Sequence, residues 1–235
     1  MFLTSLQLNH KKSARLSILF SVVKQRIVGR GLQWSALLFF LFFPFICQSA
    51  VKTARSIKPI LLRCASCHGN DGNASVNEAY PKLAGQNTIY LLKALKDFRP
   101  GIKHGRHNAS MAAIVNPLSE QEMIQIVNHY ASLPTTIDAA QSDLVLLGQQ
   151  LYRGGSFVKG IPACLACHGP AGLGNPFAGF PRLSGQHAAY ITAELMAFRA
   201  GTRIDHEHQM MSAIAKKMSD ADIVAVASYI SGLYS

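Results

Sequence analysis

Four of the five cysteines in this 235-residue chain stand in two C-x-x-C pairs, each followed directly by a histidine. Cys64, Cys67 and His68 make "CASCH"; Cys164, Cys167 and His168 make "CLACH". Thiols at this spacing suit three kinds of chemistry. Four thiolates can hold a structural zinc ion, but 100 residues separate the two pairs, and zinc gives no role to a histidine behind each of them. A redox dithiol of the thioredoxin kind belongs beside a parallel-sheet pattern, which this sequence lacks. Covalent haem attachment uses every residue. Two thiols a helical turn apart form thioethers to both vinyl groups of one haem, and the next residue then lies beneath the ring with its imidazole toward the iron. C-x-x-C-H is the attachment signature. It predicts two haem c groups, on Cys64 and Cys67 and on Cys164 and Cys167, with His68 and His168 as axial iron ligands.

The chain is one unit written twice. Displaced by 100 residues, the segment from Cys64 to Ser119 falls on Cys164 to Ser219 without a gap, and 18 of the 56 pairs are identical. "YPKLAGQ" (80–86) falls on "FPRLSGQ" (180–186), and Phe98, Arg99 and Gly101 fall on Phe198, Arg199 and Gly201. This register selects the ligand for the other face of each iron. Of seven methionines, only Met111 and Met211 face a methionine in the other copy; Met123, Met196, Met210 and Met218 face Ile223, Lys96, Ser110 and Leu118. His/Met is an established c-type ligand pair, so Met111 and Met211 are the axial candidates, placed in an irregular stretch that folds over the ring. The alternative assigns them to gap-filling in the core. His104, His107, His206 and His208 crowd the same loops, but none pairs with a histidine in the other copy.

The elements that position these groups read as helices. "ARSIKPILLR" runs into the first cysteines, and a second helix follows Gln86, with Ile89, Leu92 and Leu95 at helical spacing and a stop at Gly101. A third starts at Ser119, where "SEQE" is a capping box, and buries Met123, Ile126, Val127 and Tyr130. The second unit repeats the scheme with Asp143–Tyr152, Ala188–Ala200 and a Ser219-capped helix carrying Ile223, Val226 and Ile230. The expected architecture is all-α, with one unit over 51–133, a linker over 134–141 and a second unit over 142–235.

Residues 1–50 stand apart. They hold six of the 23 basic side chains (Lys11, Lys12, Arg15, Lys24, Arg26, Arg30) and no acid, leaving 17 basic against 12 acidic side chains in the rest. The basic excess is largely terminal, which removes the main support for a nucleic-acid partner. The apolar run from Ala36 to Cys47, ending at Ser49 and Ala50, has the form of a signal peptide for export. A retained membrane anchor is the alternative, although the run is short of the roughly 20 residues of a span and contains Pro44. Haem attachment of this type requires export, so the two signals agree on an exported protein.

Further residues suit support of the two sites. The carbonyls of Pro81 and Pro181 are placed to accept the second ring N–H of His68 and His168, which would orient each imidazole and raise its basicity; the plainer reading is turn prolines. Arg99, Arg199, Lys103 and Arg203 suit haem propionates or, equally, solvated helix ends. Tyr90 and Tyr190 suit propionates or helix packing.

Taken together, C-x-x-C-H, "PKLAGQ" or "PRLSGQ", "FRPG" or "FRAG", a methionine before "LS" or "MS" and a closing helix, all duplicated, resemble the diheme cytochrome c4 class over about Ala54 to Leu233. The resemblance implies two tandem class I cytochrome c domains about an approximate two-fold axis, each with a His/Met haem. It implies a periplasmic electron carrier that does no bond chemistry, placed between a quinol-oxidising donor complex and a respiratory terminal oxidase. The alternatives are the cytochrome subunit of an enzyme complex, such as a flavoprotein sulfide dehydrogenase, and a catalytic diheme enzyme with a labile ligand.

Overall fold

The computed structural model describes residues 56–99, 106–204 and 209–234. The export or anchor segment with Cys47 lies outside the described residues, as do Lys103, His104, His206 and His208. Among the described residues the regular structure is helical, joined by three isolated bridges and no longer strand. No described helix is long and apolar enough to cross a membrane.

The first half contains α1 (Lys58–His68), α2 (Thr88–Asp97), α3 (Ala109–Val115) and α4 (Glu120–Ala131). The second contains α5 (Val145–Gly154), α6 (Leu165–His168), α7 (Ala188–Ala200), α8 (Met210–Ala215) and α9 (Asp220–Ser231). In the first half one continuous helix, opened by Pro59 in its first turn, carries both cysteines to His68. In the second, α5 ends at Gly154, a turn closed by the Ser156–Ile161 bridge follows, and the short α6 carries Cys167 and His168.

The last helix of each half starts as its sequence predicts. The hydroxyls of Ser119 and Ser219 accept from the amides of Glu122 and Asp222, and each of those carboxylates accepts from the serine's own amide. The predicted stripes are buried. Met123, Ile126, Val127 and Tyr130 join Leu91, Val115 and Leu118 in one core; Ile223, Val226 and Ile230 join Leu151, Tyr152, Ile191 and Leu195 in the other. Two expectations change. Ile89 points outward at 51% exposure, because α2 turns Leu91, Leu92 and Leu95 to the core. Met111 and Met211 lie in the short helices α3 and α8 rather than in irregular chain, with α3 started by Asn108, whose side chain accepts from the Met111 amide at 2.9 Å.

Both halves belong to one compact unit, Ala54–Ser235. Two contacts between them form a reciprocal set, the mark of an approximate two-fold axis. Gln86 and Arg182 exchange two hydrogen bonds, side-chain amide to backbone carbonyl and backbone amide to side-chain carbonyl, both at 2.8 Å. Gln186 and Lys82 make the same exchange at 2.8 and 2.9 Å. Residues 134–141 cross between the halves without regular structure and are strapped to both. Asn73 donates to the Pro134 carbonyl and accepts from the Thr136 amide, while Asp138 and Gln141 donate from their amides to Ser231 and Ser228 of α9.

Candidate haem sites

Cys64 and Cys67 lie three residues apart on α1, on one side of the helix, with His68 next in its last turn. Gly69 ends the helix at φ 79°, where an added Cβ would come within 2.6 Å of the Ala74 carbonyl oxygen; Gly169 has the same φ. His68 and His168 are both buried, at 7% exposure. The Nδ1–H of His68 donates to the Pro81 carbonyl at 3.0 Å, and that of His168 to the Pro181 carbonyl at 3.1 Å. A carbonyl only accepts, so the proton sits on Nδ1 and Nε2 keeps its lone pair for a metal. Burial lowers the basicity of both rings, against the opposite pull of the proline carbonyls, so both favour the neutral, metal-binding form. Tyr80 and Phe180, each just before its proline, lie tilted against the imidazoles with ring centroids 6.2 and 6.0 Å away. Their position in the sequence, aromatic in both copies, was the available signal for this packing.

The thiols do not suit the alternatives. Burial raises the pKa of Cys64, and it pushes that of Cys164 up to about 11, whereas a redox dithiol needs a depressed value. Among the described residues no group of three or more His, Cys, Asp or Glu side chains converges as a zinc site would require. The cysteines instead share apolar ground with the paired methionines. Cys64 and Met111 are half-buried against the first core, and Cys164 and Met211 against the second. Met123 is fully buried in the first core. His107 is exposed.

The arginines and tyrosines have partners of another kind. Arg99 donates to the Leu118 carbonyl at 2.6 Å and Arg199 to the Met218 carbonyl at 3.1 Å, one residue before each serine cap. These guanidiniums tie the end of α2 or α7 to the start of the last helix, and Arg199 also pairs with the exposed Asp220 carboxylate. Tyr90 and Tyr190 meet the opposite half: Arg203 donates to the Tyr90 hydroxyl at 3.1 Å, and Arg106 to the Tyr190 hydroxyl at 2.9 Å. Arg106 and Arg203 are structural counterparts, each over its own phenylalanine, Phe98 or Phe198, at 4.5 and 4.3 Å from the ring centroid, and joined by an antiparallel bridge. The gapless register pairs Arg203 with Lys103 instead. The first half has three more residues before this arginine and three fewer after it, so the two length differences cancel in the overall alignment.

The cytochrome c family model matches residues 58–134 and again 145–233, one match to each half of the interface just described. The chain belongs to the cytochrome c family. Within it, the chain is 43% identical to cytochrome c4 of Azotobacter vinelandii over 178 residues, 73% of this chain and 84% of that protein. The crystal structure of reduced recombinant cytochrome c4 from Pseudomonas stutzeri superposes with a TM-score of 0.71 at 41% identity, covering 76% of this chain and 99% of that one. A thiosulfate dehydrogenase electron acceptor of Stutzerimonas stutzeri is 38% identical over 186 residues, 78% of this chain and 84% of that protein. The chain is thus a diheme cytochrome of the c4 class, made of two tandem class I cytochrome c domains. It binds two haem c groups covalently through its C-x-x-C-H pairs and transfers electrons.

Proposed function

We propose that this cytochrome carries electrons through the periplasm from a quinol-oxidising donor complex to a respiratory terminal oxidase, with His68 and Met111 on one iron and His168 and Met211 on the other. A haem iron would supply one-electron chemistry when bound, and these histidine and methionine side chains would be the protein groups that hold it. The observation that carries the reading is the matched Nδ1–H donation of His68 and His168 to Pro81 and Pro181. It leaves each Nε2 for iron in a site whose methionine recurs in register. Residues 1–50 would direct export or tether the protein to the membrane. The haem domains would occupy 51–133 and 142–235, joined by 134–141.

A second reading, the electron-accepting subunit of a dehydrogenase, is favoured by the likeness to the thiosulfate dehydrogenase electron acceptor. Stopped-flow reduction separates the two. Rapid reduction by a quinol-oxidising complex and oxidation by a terminal oxidase support the shuttle. Rapid reduction by thiosulfate dehydrogenase plus thiosulfate, with no turnover by the oxidase, supports the second reading.

A further inference from the structure

At the domain boundary two arginines, two tyrosines and two phenylalanines answer one another across the two-fold axis, while the carboxylate between the arginines has no counterpart. Arg106 and Arg203 face each other, Tyr90 answers Tyr190, and Phe98 answers Phe198. Glu194, on α7, stands alone, because the repeat places Ala94 at its position on α2. One carboxylate oxygen of Glu194 accepts from Arg106 of the first domain, and the other accepts from Arg203 of its own. All three side chains are largely shielded, at 11% exposure for Arg106, 17% for Arg203 and 19% for Glu194. Two guanidiniums brought this close in a poorly solvated boundary repel each other, and a single anion between them turns the repulsion into a clasp.

We infer that Glu194 is a positioning residue that locks the two haem domains together and makes them electrostatically unequal. The reciprocal glutamine contacts are symmetric and cannot distinguish the domains. A carboxylate on α7, where α2 carries Ala94, can. It favours the oxidised, more positive state of each haem, and the second domain bears the charge on its own helix, so the two potentials are lowered by different amounts. The inference rests on the presence of two haems and not on which methionines bind them.

The test uses the holoprotein with both haems, in the variants E194Q, E194A and the transplant E194A/A94E, which moves the carboxylate to the mirror position. Each is followed by spectroelectrochemical titration and by thermal unfolding. Glu194→Gln keeps the side chain's size and an acceptor while removing the charge, so it remains informative even where Glu194→Ala fails to fold. In E194Q both potentials are expected to rise, by unequal amounts, with the haem spectra unchanged. In the transplant the unfolding midpoint returns toward that of the parent, and the haem that had been lowered more becomes the one lowered less. Unchanged potentials in E194Q, equal shifts in both haems, or a transplant that keeps the parent's inequality would each overturn the inference. Because the iron ligands are untouched, a failure of the Met111 and Met211 assignment would show in the parent's own spectrum and not in these shifts.

Discussion

Gln86 holds both backbone polar groups of Arg182, its amide donating to the carbonyl and its carbonyl accepting from the amide, each at 2.8 Å. The pair belongs to opposite domains 96 residues apart in the chain. Gln86→Ala strands the Arg182 amide and carbonyl at the boundary, at about 1–3 kcal/mol for each group that water does not reach. Chemical denaturation of the holoprotein is expected to show a loss of about 2 kcal/mol. Removing Gln186 as well should split one unfolding transition into two.

Gly148 lies where α5 crosses α9, and a Cβ there would come within 2.3 Å of the Ala225 carbonyl oxygen and 2.6 Å of the Tyr229 Cβ. Both contacts are with groups fixed by α9 rather than with the tip of a flexible side chain. Gly148→Ala should therefore destabilise the second domain by about 1–3 kcal/mol, as overpacking does. Chemical denaturation should show the single unfolding transition moved to lower denaturant, with the haem spectra of the folded protein unchanged.

Met123 is fully buried in the first core and does not recur in the second, where Ile223 takes its place. Met123→Ala is expected to cost about 2–5 kcal/mol of stability. The absorption spectrum of both haems should stay as in the parent, which separates a packing methionine from a ligand.

Asp222 sets the acid limit of α9. Burial opposes its charge, but hydrogen bonds from Lys159 at 2.6 Å and from the Ser219 amide and hydroxyl outweigh that and hold its carboxyl below the ordinary value. A folded-state pKa below the unfolded one gives stability that is complete above the unfolded value and is lost as pH falls through the folded one. Asp222→Asn should therefore be less stable than the parent near neutrality, by about 1 kcal/mol, as the loss of a cap typically is. The gap should close as pH falls below about 4, as read from denaturation midpoints across that range.

Much of this molecule is legible in its sequence because the gene repeats itself. Ser119 and Ser219 announce their helices with side-chain chemistry that needs no tertiary context. The histidine–proline bonds follow from two motifs in fixed order. Where the sequence is silent, the cause is long-range. Gln86 and Gln186 are identical in both copies, but nothing local says that each reaches for the other domain's backbone. Arg106 and Arg203 escape the alignment because two opposite length changes cancel around them. Their partner Glu194 has no repeat mate to point it out. The helical setting of Met111 depended on a cap at Asn108, a residue type that the repeat does not keep.

If Met111 and Met211 complete the two irons, the oxidised absorption spectra of Met111→Ala and Met211→Ala will show it. The parent should show methionine-to-iron charge transfer from both haems, and each variant should lose half of that band, with a fall in the potential of one haem. A spectrum of Met111→Ala identical to that of the parent would contradict the assignment.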